Sequence, residues 1–495
     1  MRTNRPITTL LATALLTAVL LTGCVLPPKE TPHPQQLENT RIGLEGTAAE
    51  LVTDGWWNSF QDPQLGRLIQ LGLENNPTLA QAQARVADAL AQTESAQSKL
   101  LPHAKSSASV LYNKVPENYL VPPPYAGHTF MMGQAGATLG WDLDFFGRQS
   151  NAVHSLRAQA QAARLDVENA RLLLAGAIAQ AYLELYRQHS LADIAVRSEA
   201  QRQNIVSITQ RRVAAGLDTR LELKQAEGQL PQARVAREQA QAAVNVAIHQ
   251  LAALTGHGAE AYKDITRPTL SVEAALPIPT ALPINLLARR PDVLSARLNV
   301  DAADAQRLSA KAAFYPDISL QAIAGIGAFG LHNLINWNAR GAGAGPVISL
   351  PLFDGGLLRA QYRGSEAQLD SAIDGYNETV LRAVQQTADQ ITQLDALAHE
   401  QIDQQLTLDA NEVAYSLAEE RYKAGLASYL AVLNAETQVL TARQNMVDIL
   451  TAQANTRITL LLAVGGSFDP RTTEATLASA SPASAVNTTL TQSKP

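Results

Sequence analysis

Apolar residues recur at three-and-four spacing over two long stretches of the chain. One stretch begins after Gly147 and continues without a proline to about Ala215, and the other runs from about Leu357 to about Ala424. This spacing predicts coiled-coil helices, and their many alanines let the helices approach closely. Sixty-odd residues at 1.5 Å each predict rods of roughly 100 Å. In the first rod the seam residues are Val153, Leu156, Ala160, Ala163, Val167, Ala170, Leu174, Ala177 and Ala181.

Shorter segments alternate with period two and predict β-strands. One apolar face would carry Gly133, Ala135, Ala137, Leu139, Trp141 and Leu143, opposite Gln134, Gly136, Thr138, Gly140, Asp142 and Asp144. Later strands would place Ile318, Leu320, Ala322, Ala324, Ile326 and Ala328, then Ala342, Ala344, Ile348, Leu350 and Leu352, on apolar faces. Apolar residues outside and small or polar residues inside are typical of an outer-membrane barrel strand. An ordinary half-buried sheet is the alternative interpretation.

The sequence contains an internal duplication of one structural unit. Residues 212–217 match residues 421–426 at an offset of 209, and at that offset Glu227 meets Glu436 and Gly256 meets Gly465. Each copy reads helix, strand, strand, very long helix and long return helix, the return helices lying at about 219–254 and 428–464. Pro231 is expected to kink the first of these. The predicted copies are residues 51–265 and 266–465.

The N-terminal residues predict export and lipidation. Arg2 and Arg5 precede an apolar run from Ile7 to Leu21, too short for a membrane helix, so residues 1–23 are interpreted as a signal peptide. The sequence Leu-Thr-Gly-Cys that ends at Cys24 resembles a lipobox, and this is the single cysteine of the chain. We expect Cys24 to carry a diacylglycerol and an N-acyl chain, with an incidental thiol as the alternative. Val25 rather than Asp after it implies delivery to the outer membrane.

The two ends of the mature chain lack periodic patterns. Residues 24–50 are polar and contain proline, which predicts an extended lipidated arm. Residues 466–495 are rich in Ser, Thr and Ala, which predicts a disordered tail.

Composition and motifs argue against an enzyme or a nucleic-acid-binding protein. The formal net charge is −6 and there is no long basic run. The nine histidines show no metal-ligand spacing, and no catalytic triad or carboxylate pair stands out. Residues 325–330 fit a dinucleotide-binding glycine pattern, but they lie inside an alternating strand rather than before a helix. We therefore predict no catalytic residue, no metal and no cofactor beyond the lipid.

Four strands are too few to enclose water, and this forces association. An unpaired strand edge in hydrocarbon leaves N–H and C=O groups without partners, which is prohibitive. A long hairpin with an Ala-rich seam likewise buries little unless it packs against neighbours. The chain is therefore expected to form an oligomer, whose number the residues alone leave open.

Five motifs together resemble the TolC/OprM outer-membrane efflux proteins, specifically their lipid-anchored NodT branch. They are residues 56–65 (WWNSFQDPQL), 76–79 (NPTL), 286–293 (LLARRPDV), 314–316 (FYP) and 350–356 (LPLFDGG). The resemblance spans about residues 50–465. It implies a mainly α fold with membrane β-structure, in which a homotrimer forms a twelve-stranded β-barrel continuous with a twelve-helix coiled-coil α-barrel.

The same resemblance implies the function. The chain would be an outer-membrane exit duct that conducts drugs or other small molecules passively, with a periplasmic adaptor and an inner-membrane pump as partners. It would be lipid-anchored in the outer membrane and extend into the periplasm. A type I protein-secretion duct shares the fold and is one alternative. A periplasmic coiled-coil scaffold is another, although it leaves the strands unused.

Family likeness also points to the two turns between long helices. Gly216 and Leu217, and likewise Gly425 and Leu426, would face the adaptor, each glycine also serving as a helix C-cap with positive φ. Glu222 matches an acidic position of the family's inner constriction and Tyr422 a gating tyrosine. The family's Arg and two Asp are replaced here by Ala427, Ala431 and Asn434. A latch with Arg220 or Arg421 is therefore expected, and a solvated helix face is the alternative for Glu222.

Overall fold

The computed structural model describes residues 28–30, 32–38, 42, 44, 54–118, 122–273, 276, 278–283, 285–469 and 471. Cys24, the signal peptide and residues 472–495 lie outside the described residues. The helices are α1 (Pro63–Asn75), α2 (Pro77–Ser98), α3 (Arg148–Ala214), α4 (Arg220–Leu254), α5 (Leu286–Arg289), α6 (Pro291–Ala312), α7 (Leu357–Lys423) and α8 (Tyr429–Ala463). The strands are β1 (His103–Lys114), β2 (Thr129–Asp142), β3 (Asp317–Phe329) and β4 (Arg340–Ser349).

The duplication appears as pairs of helices of equal length. The two rods α3 and α7 have 67 residues each, and the return helices α4 and α8 have 35 each. The helices that precede the strands, α2 and α6, have 22 each. Helix α4 continues through Pro231, so the predicted kink does not end it.

The chain divides into two units, and the first contains the strands. This unit comprises residues 1–36, 85–163 and 296–376. Its four strands form one antiparallel sheet in the order β1-β2-β3-β4. The register pairs Ala137 with Ala324, and Ala322 with Ala344. Because partners in register share a face, the predicted apolar positions of three strands lie on one side of the sheet. In the described part of the sheet, β1 and β4 are edges without a neighbour.

The opposite face of the sheet is polar or small and is concave. A depression of about 500 Å³ lies here. Its polar lining residues are His103, Lys105, Thr138, Asp142, Ser319 and Gln321, and apolar residues such as Leu139, Ile323, Pro346 and Val347 also line it. On the other face, Trp141, Leu320 and Ile348 are exposed. Such a sheet has one side suited to water and one to hydrocarbon.

The second unit holds two equivalent joints between helices. It comprises residues 37–84, 164–295 and 377–495. At the first joint Asn76 Nδ2 donates to the carbonyl of Leu254, the last residue of α4 (2.9 Å). At the second, Arg290 Nη1 donates to the carbonyl of Ala463, the last residue of α8 (2.9 Å). Both side chains thereby satisfy a carbonyl that the end of a helix leaves free.

A glycine completes each joint. A Cβ on Gly256 would lie 2.5 Å from the Asn75 carbonyl oxygen, and one on Gly465 would lie 2.1 Å from that of Arg289. Both glycines also have positive φ, which disfavours any other residue. The NP and RRP motifs and the two matched glycines are therefore parts of one repeated joint.

The tryptophan motif of residues 56–65 builds the core beside the first joint. Trp56 and Phe60 are buried in a cluster that includes Ile178, Tyr182 and Leu251. Asp62 accepts hydrogen bonds from the Tyr182 hydroxyl (2.7 Å) and from the Thr269 N–H (2.7 Å). The motif thus ties α1 to the first rod and to the segment between the two copies.

Parts of the predicted arm and tail are packed. In the first unit Glu30 accepts from Lys311 Nζ (2.8 Å), and His33 contacts Asp370 (2.7 Å). In the second unit Phe468 is buried, and the Gly466 carbonyl accepts from Arg289 Nη2 (3.3 Å). The start of the predicted tail therefore moves beyond Asp469. Apart from Arg471, which donates to the Asp469 carboxylate, the rest of the predicted tail lies outside the described residues.

Candidate functional site: the two helix-turn tips

Each rod ends in a glycine turn of the same geometry. We define the first tip as residues 215–219 and the second tip as residues 424–428. Gly216 has φ 74° and Gly425 has φ 81°. Leu217 N–H donates to the Arg212 carbonyl (2.9 Å), and Leu426 N–H donates to the Arg421 carbonyl (2.8 Å). The Gly216 N–H also donates to the Val213 carbonyl and the Gly425 N–H to the Tyr422 carbonyl (3.0 Å each). Together these bonds form Schellman motifs, which close a helix through a left-handed residue.

The two tips differ in how the next helix begins. At the first tip the Thr219 hydroxyl accepts from the Leu221 N–H (3.1 Å), and the Glu222 carboxylate accepts from the Thr219 N–H (3.0 Å). This is a capping box. At the second tip Ser428 makes no side-chain cap. The start of α4 is therefore held by its own side chains, whereas the start of α8 is not.

A buried network joins the first tip to the last turns of α7. Arg212 donates to Asp218 through Nε (2.8 Å) and Nη2 (3.0 Å), and through Nη1 to the Tyr422 carbonyl (2.7 Å). The Tyr422 hydroxyl donates to Asp218 (2.7 Å) and lies 2.8 Å from the Thr209 hydroxyl. The guanidinium carbon also lies 4.6 Å from the centre of the Tyr422 ring. Four side chains from two hairpins thus form one contact set.

The electrostatics of this set follow from burial and pairing. The side chains of Arg212 and Asp218 are only 10% and 11% exposed. The hydrogen bonds from Arg212 hold the pKa of Asp218 below its ordinary value. Burial, together with the Asp218 charge, raises the pKa of Tyr422 to about 12. The hydroxyl therefore stays protonated and serves Asp218 as a donor.

The structure separates the predicted gate residues. Tyr422 is fully buried in the network, whereas Arg220 and Arg421 are exposed and pair with no carboxylate within the described chain. Glu222 bonds to Thr219 instead, and the Thr219 hydroxyl lowers its pKa. The predicted latch between Glu222 and either arginine is therefore not formed within one chain, because the capping box already occupies that carboxylate. A role for these three residues between chains stays a prediction.

The predicted contact leucines are on the surface. Leu217 is 64% exposed and Leu426 is 76% exposed. Leu221 and Leu430, which correspond at the repeat offset, are equally exposed. Each tip, together with the start of the helix that follows it, therefore presents two exposed apolar side chains four residues apart in sequence.

The sequence did not single out Asp218, Thr209 or the pairing role of Arg212. The available signal was asymmetry between the copies. At the offset of 209, Asp218 corresponds to Ala427, Thr209 to Ala418, and Tyr422 to Val213. Where one copy has a polar residue and the equivalent position of the other copy has an apolar one, the contact made by the polar residue occurs in only one copy.

Among the described residues, no helix is both long and apolar enough to cross a membrane. The same residues contain no group of His, Cys, Asp and Glu side chains placed to hold a metal ion.

Comparison with known proteins gives the family of this chain. The sequence model of the outer membrane efflux protein family matches residues 68–257 and 282–466. The chain belongs to that family, and it is an outer-membrane efflux channel protein.

Individual relatives cover most of the chain. The multidrug resistance outer membrane protein MdtP of Escherichia coli is 30% identical over 483 residues, 94% of this chain and 98% of its own length. The fusaric acid resistance protein FusA of Burkholderia cepacia is 33% identical, over 72% of this chain and 69% of its own. The outer membrane protein VceC of Vibrio cholerae has a solved structure with a TM-score of 0.78 and 31% identity. That match covers 84% of this chain and all of that one. Resemblance to the NodT branch in particular stays a prediction.

Proposed function

We propose that this chain is one protomer of a trimeric exit duct that conducts small molecules passively across the outer membrane. The open four-stranded sheet carries the proposal. Its two edges need neighbours before the sheet can lie in hydrocarbon. Three copies would supply twelve strands, with the polar concave faces turned to a water-filled lumen and the exposed apolar faces turned to lipid.

The tips support partnership with a periplasmic adaptor and, through it, an inner-membrane pump. Leu217 and Leu426 are exposed apolar side chains on turns fixed by Gly216 and Gly425. Exposed leucines on rigid turns favour docking of another protein. Glu222, Arg220 and Arg421 lie beside these turns and are proposed to line the narrow end of the duct. The contact set around Tyr422 would hold that end closed.

Relatives favour small-molecule cargo over protein secretion. MdtP is named for multidrug resistance and FusA for fusaric acid resistance. A periplasmic scaffold would leave the amphipathic sheet without a role. The duct needs no catalytic residue and no cofactor, and we propose that its attachment to the membrane is reinforced by lipid on Cys24.

The test is to extract the protein from membranes in mild detergent, measure its mass, and reconstitute it in planar bilayers. A particle of three chains that conducts ions in small, discrete steps is the expected result. The same sample, boiled to separate the chains, should give no steps. A stable monomer, or a trimer without conductance, would overturn the proposed duct.

A further inference from the structure

A second buried ion pair lies between the two hairpins, closer to the middle of the rods than the tips. Arg202 of α3 donates through Nε to Glu436 Oε1 of α8 (3.2 Å), and through Nη1 to the Gln229 carbonyl of α4 (3.1 Å). The Glu436 side chain is only 4% exposed and that of Arg202 16%. Glu436 lies on one helix face with the buried Val432 and Val439.

The two buried pairs are unequal in geometry. Asp218 accepts three hydrogen bonds, two from Arg212 and one from the Tyr422 hydroxyl. In the described part of the chain, Glu436 accepts a single hydrogen bond, from Arg202. A buried carboxylate recovers its lost hydration only when its hydrogen bonding is nearly complete. By this criterion the Asp218 pair favours the packed hairpins, and the Glu436 pair does not.

We infer that the Arg202–Glu436 pair opposes closure of the duct, and that neutralising Glu436 tightens the packing of the two hairpins. The inference rests on the proposed duct function, in which the hairpins pack closely when the narrow end is closed. Opening would separate the buried cluster and return the Glu436 carboxylate to water. The charge therefore costs more in the closed state than in the open one.

The titratable groups around Glu436 agree with this direction. Burial raises its pKa, and the attraction of Arg202 only partly offsets that effect. Its other ionisable neighbours in the described structure are Tyr415 on α7 and Tyr429 on α8, both neutral because burial raises their pKa values. Glu419 and Arg443 act on Tyr415 with opposite signs. A group with a higher pKa in the closed state binds protons on closing, so acid favours the closed duct.

The duplicated copy provides a matched control. Glu227 corresponds to Glu436 at the offset of 209, but it lies near the surface and pairs with Lys224 (2.6 Å). Substitution of Glu by Gln at both positions removes the same charge and keeps the same shape. Of these two substitutions, only Glu436→Gln should change the conductance of the duct.

The experiment measures planar-bilayer conductance from pH 7 downward for wild type, Glu436→Gln, Glu227→Gln and Arg202→Gln. We expect Glu436→Gln to lower the conductance at pH 7 severalfold and to flatten its decline in acid. The Gln amide oxygen and the Gln229 carbonyl can still accept from Arg202, so the guanidinium keeps its acceptors while the buried carboxylate charge is removed. Arg202→Gln should raise it severalfold at pH 7, because an uncompensated carboxylate then remains buried. Glu227→Gln should follow the wild type.

The direction in which each variant changes the conductance tests the inference. If Glu436→Gln and Arg202→Gln both raise conductance, the pair is a clamp and the inference is wrong. Unchanged conductance in Glu436→Gln also overturns it. Heat-dependent migration of each trimer shows whether the variant has assembled, and if Arg202→Gln fails to assemble, the Glu436→Gln pH profile alone decides. Failure of the wild type to conduct would refute the duct itself, whereas a conducting wild type with the wrong signs refutes only this inference.

Discussion

Asp218 is the residue through which the first tip is bonded to the second hairpin. Its carboxylate accepts from Arg212 of α3 and from Tyr422 of α7, so one side chain connects two helices and a turn. The corresponding residue of the second copy is Ala427. The two tips share a backbone geometry but no longer share this contact. A substitution at Asp218 therefore breaks a contact that the second tip does not make.

Substitution Asp218→Asn should loosen this contact set. The amide keeps one acceptor oxygen but loses the charge, and its NH₂ group faces the donors of Arg212. We expect the folded protein to lose roughly 1–3 kcal/mol of stability, the usual cost of a broken charged hydrogen bond. We also expect a higher conductance in planar bilayers. Glu420→Gln removes a charge from an exposed position nearby and is the control. Equal conductance in the two variants would exclude Asp218 from the closure.

The pH dependence of the Asp218 contribution has a defined sign. Because the folded pKa lies below its ordinary value of 3.8, the stabilisation is fully present above that value. It is lost only as the pH falls through the lowered folded pKa. Over the range from pH 7 to pH 5, any change in closure therefore does not arise from Asp218. A stability difference between wild type and Asp218→Asn that vanished already at pH 5 would contradict this assignment.

At the scale of elements, glycines of the first hairpin should respond oppositely to substitution. Gly216 has φ 74°, and no atom lies within 4 Å of a Cβ built there, so only the backbone resists a side chain. Gly216→Val should cost about 1 kcal/mol or more. Gly228 lies inside α4 with equally open surroundings and no positive φ. Gly228→Ala should instead stabilise the helix by about 0.5–1 kcal/mol. The dissociation temperature of the trimer in detergent measures both, and shifts of the same sign would exclude this backbone explanation.

Most element boundaries were predictable because each depends on local pattern. The long run without proline predicted a rod from about 148 to 215, and α3 spans Arg148–Ala214. Period-two alternation identified the faces of β2 and β3, whose register places the predicted residues together. The contacts between helices were not predictable, because they join residues far apart in sequence. Arg212 and Tyr422 are 210 residues apart, and nothing in either helix alone specifies the partner.

At the scale of the whole molecule, the described arm indicates where a lipid anchor would sit. Glu30 is held by Lys311 near the end of α6, six residues before β3 begins at Asp317. A fully extended chain reaches about 3.5 Å per residue, so six residues separate Cys24 from Glu30 by at most ~21 Å. The lipid would then lie near the end of the sheet from which the long helices leave. That end is where the inner leaflet of the outer membrane would be in the proposed duct.

The last prediction concerns Cys24, the single cysteine of the chain, which ends the lipobox-like sequence Leu-Thr-Gly-Cys. Cys24 should carry the lipid, so radioactive palmitate should label the wild type, while Cys24→Ser should remain unlabelled and be mis-sorted. The arm contacts do not depend on the lipid, because Glu30 and His33 bond to side chains of the first unit. The unlabelled chain should therefore still fold its helices, as far-ultraviolet circular dichroism would show. The single variant Glu30→Gln separates the lipid from the arm, because it keeps Cys24 and weakens the contact with Lys311. If the lipid alone determines sorting, Glu30→Gln should be labelled and sorted like the wild type. Equal labelling of wild type and Cys24→Ser would place the acyl chain on another residue. Absence of label from both would exclude an acyl chain.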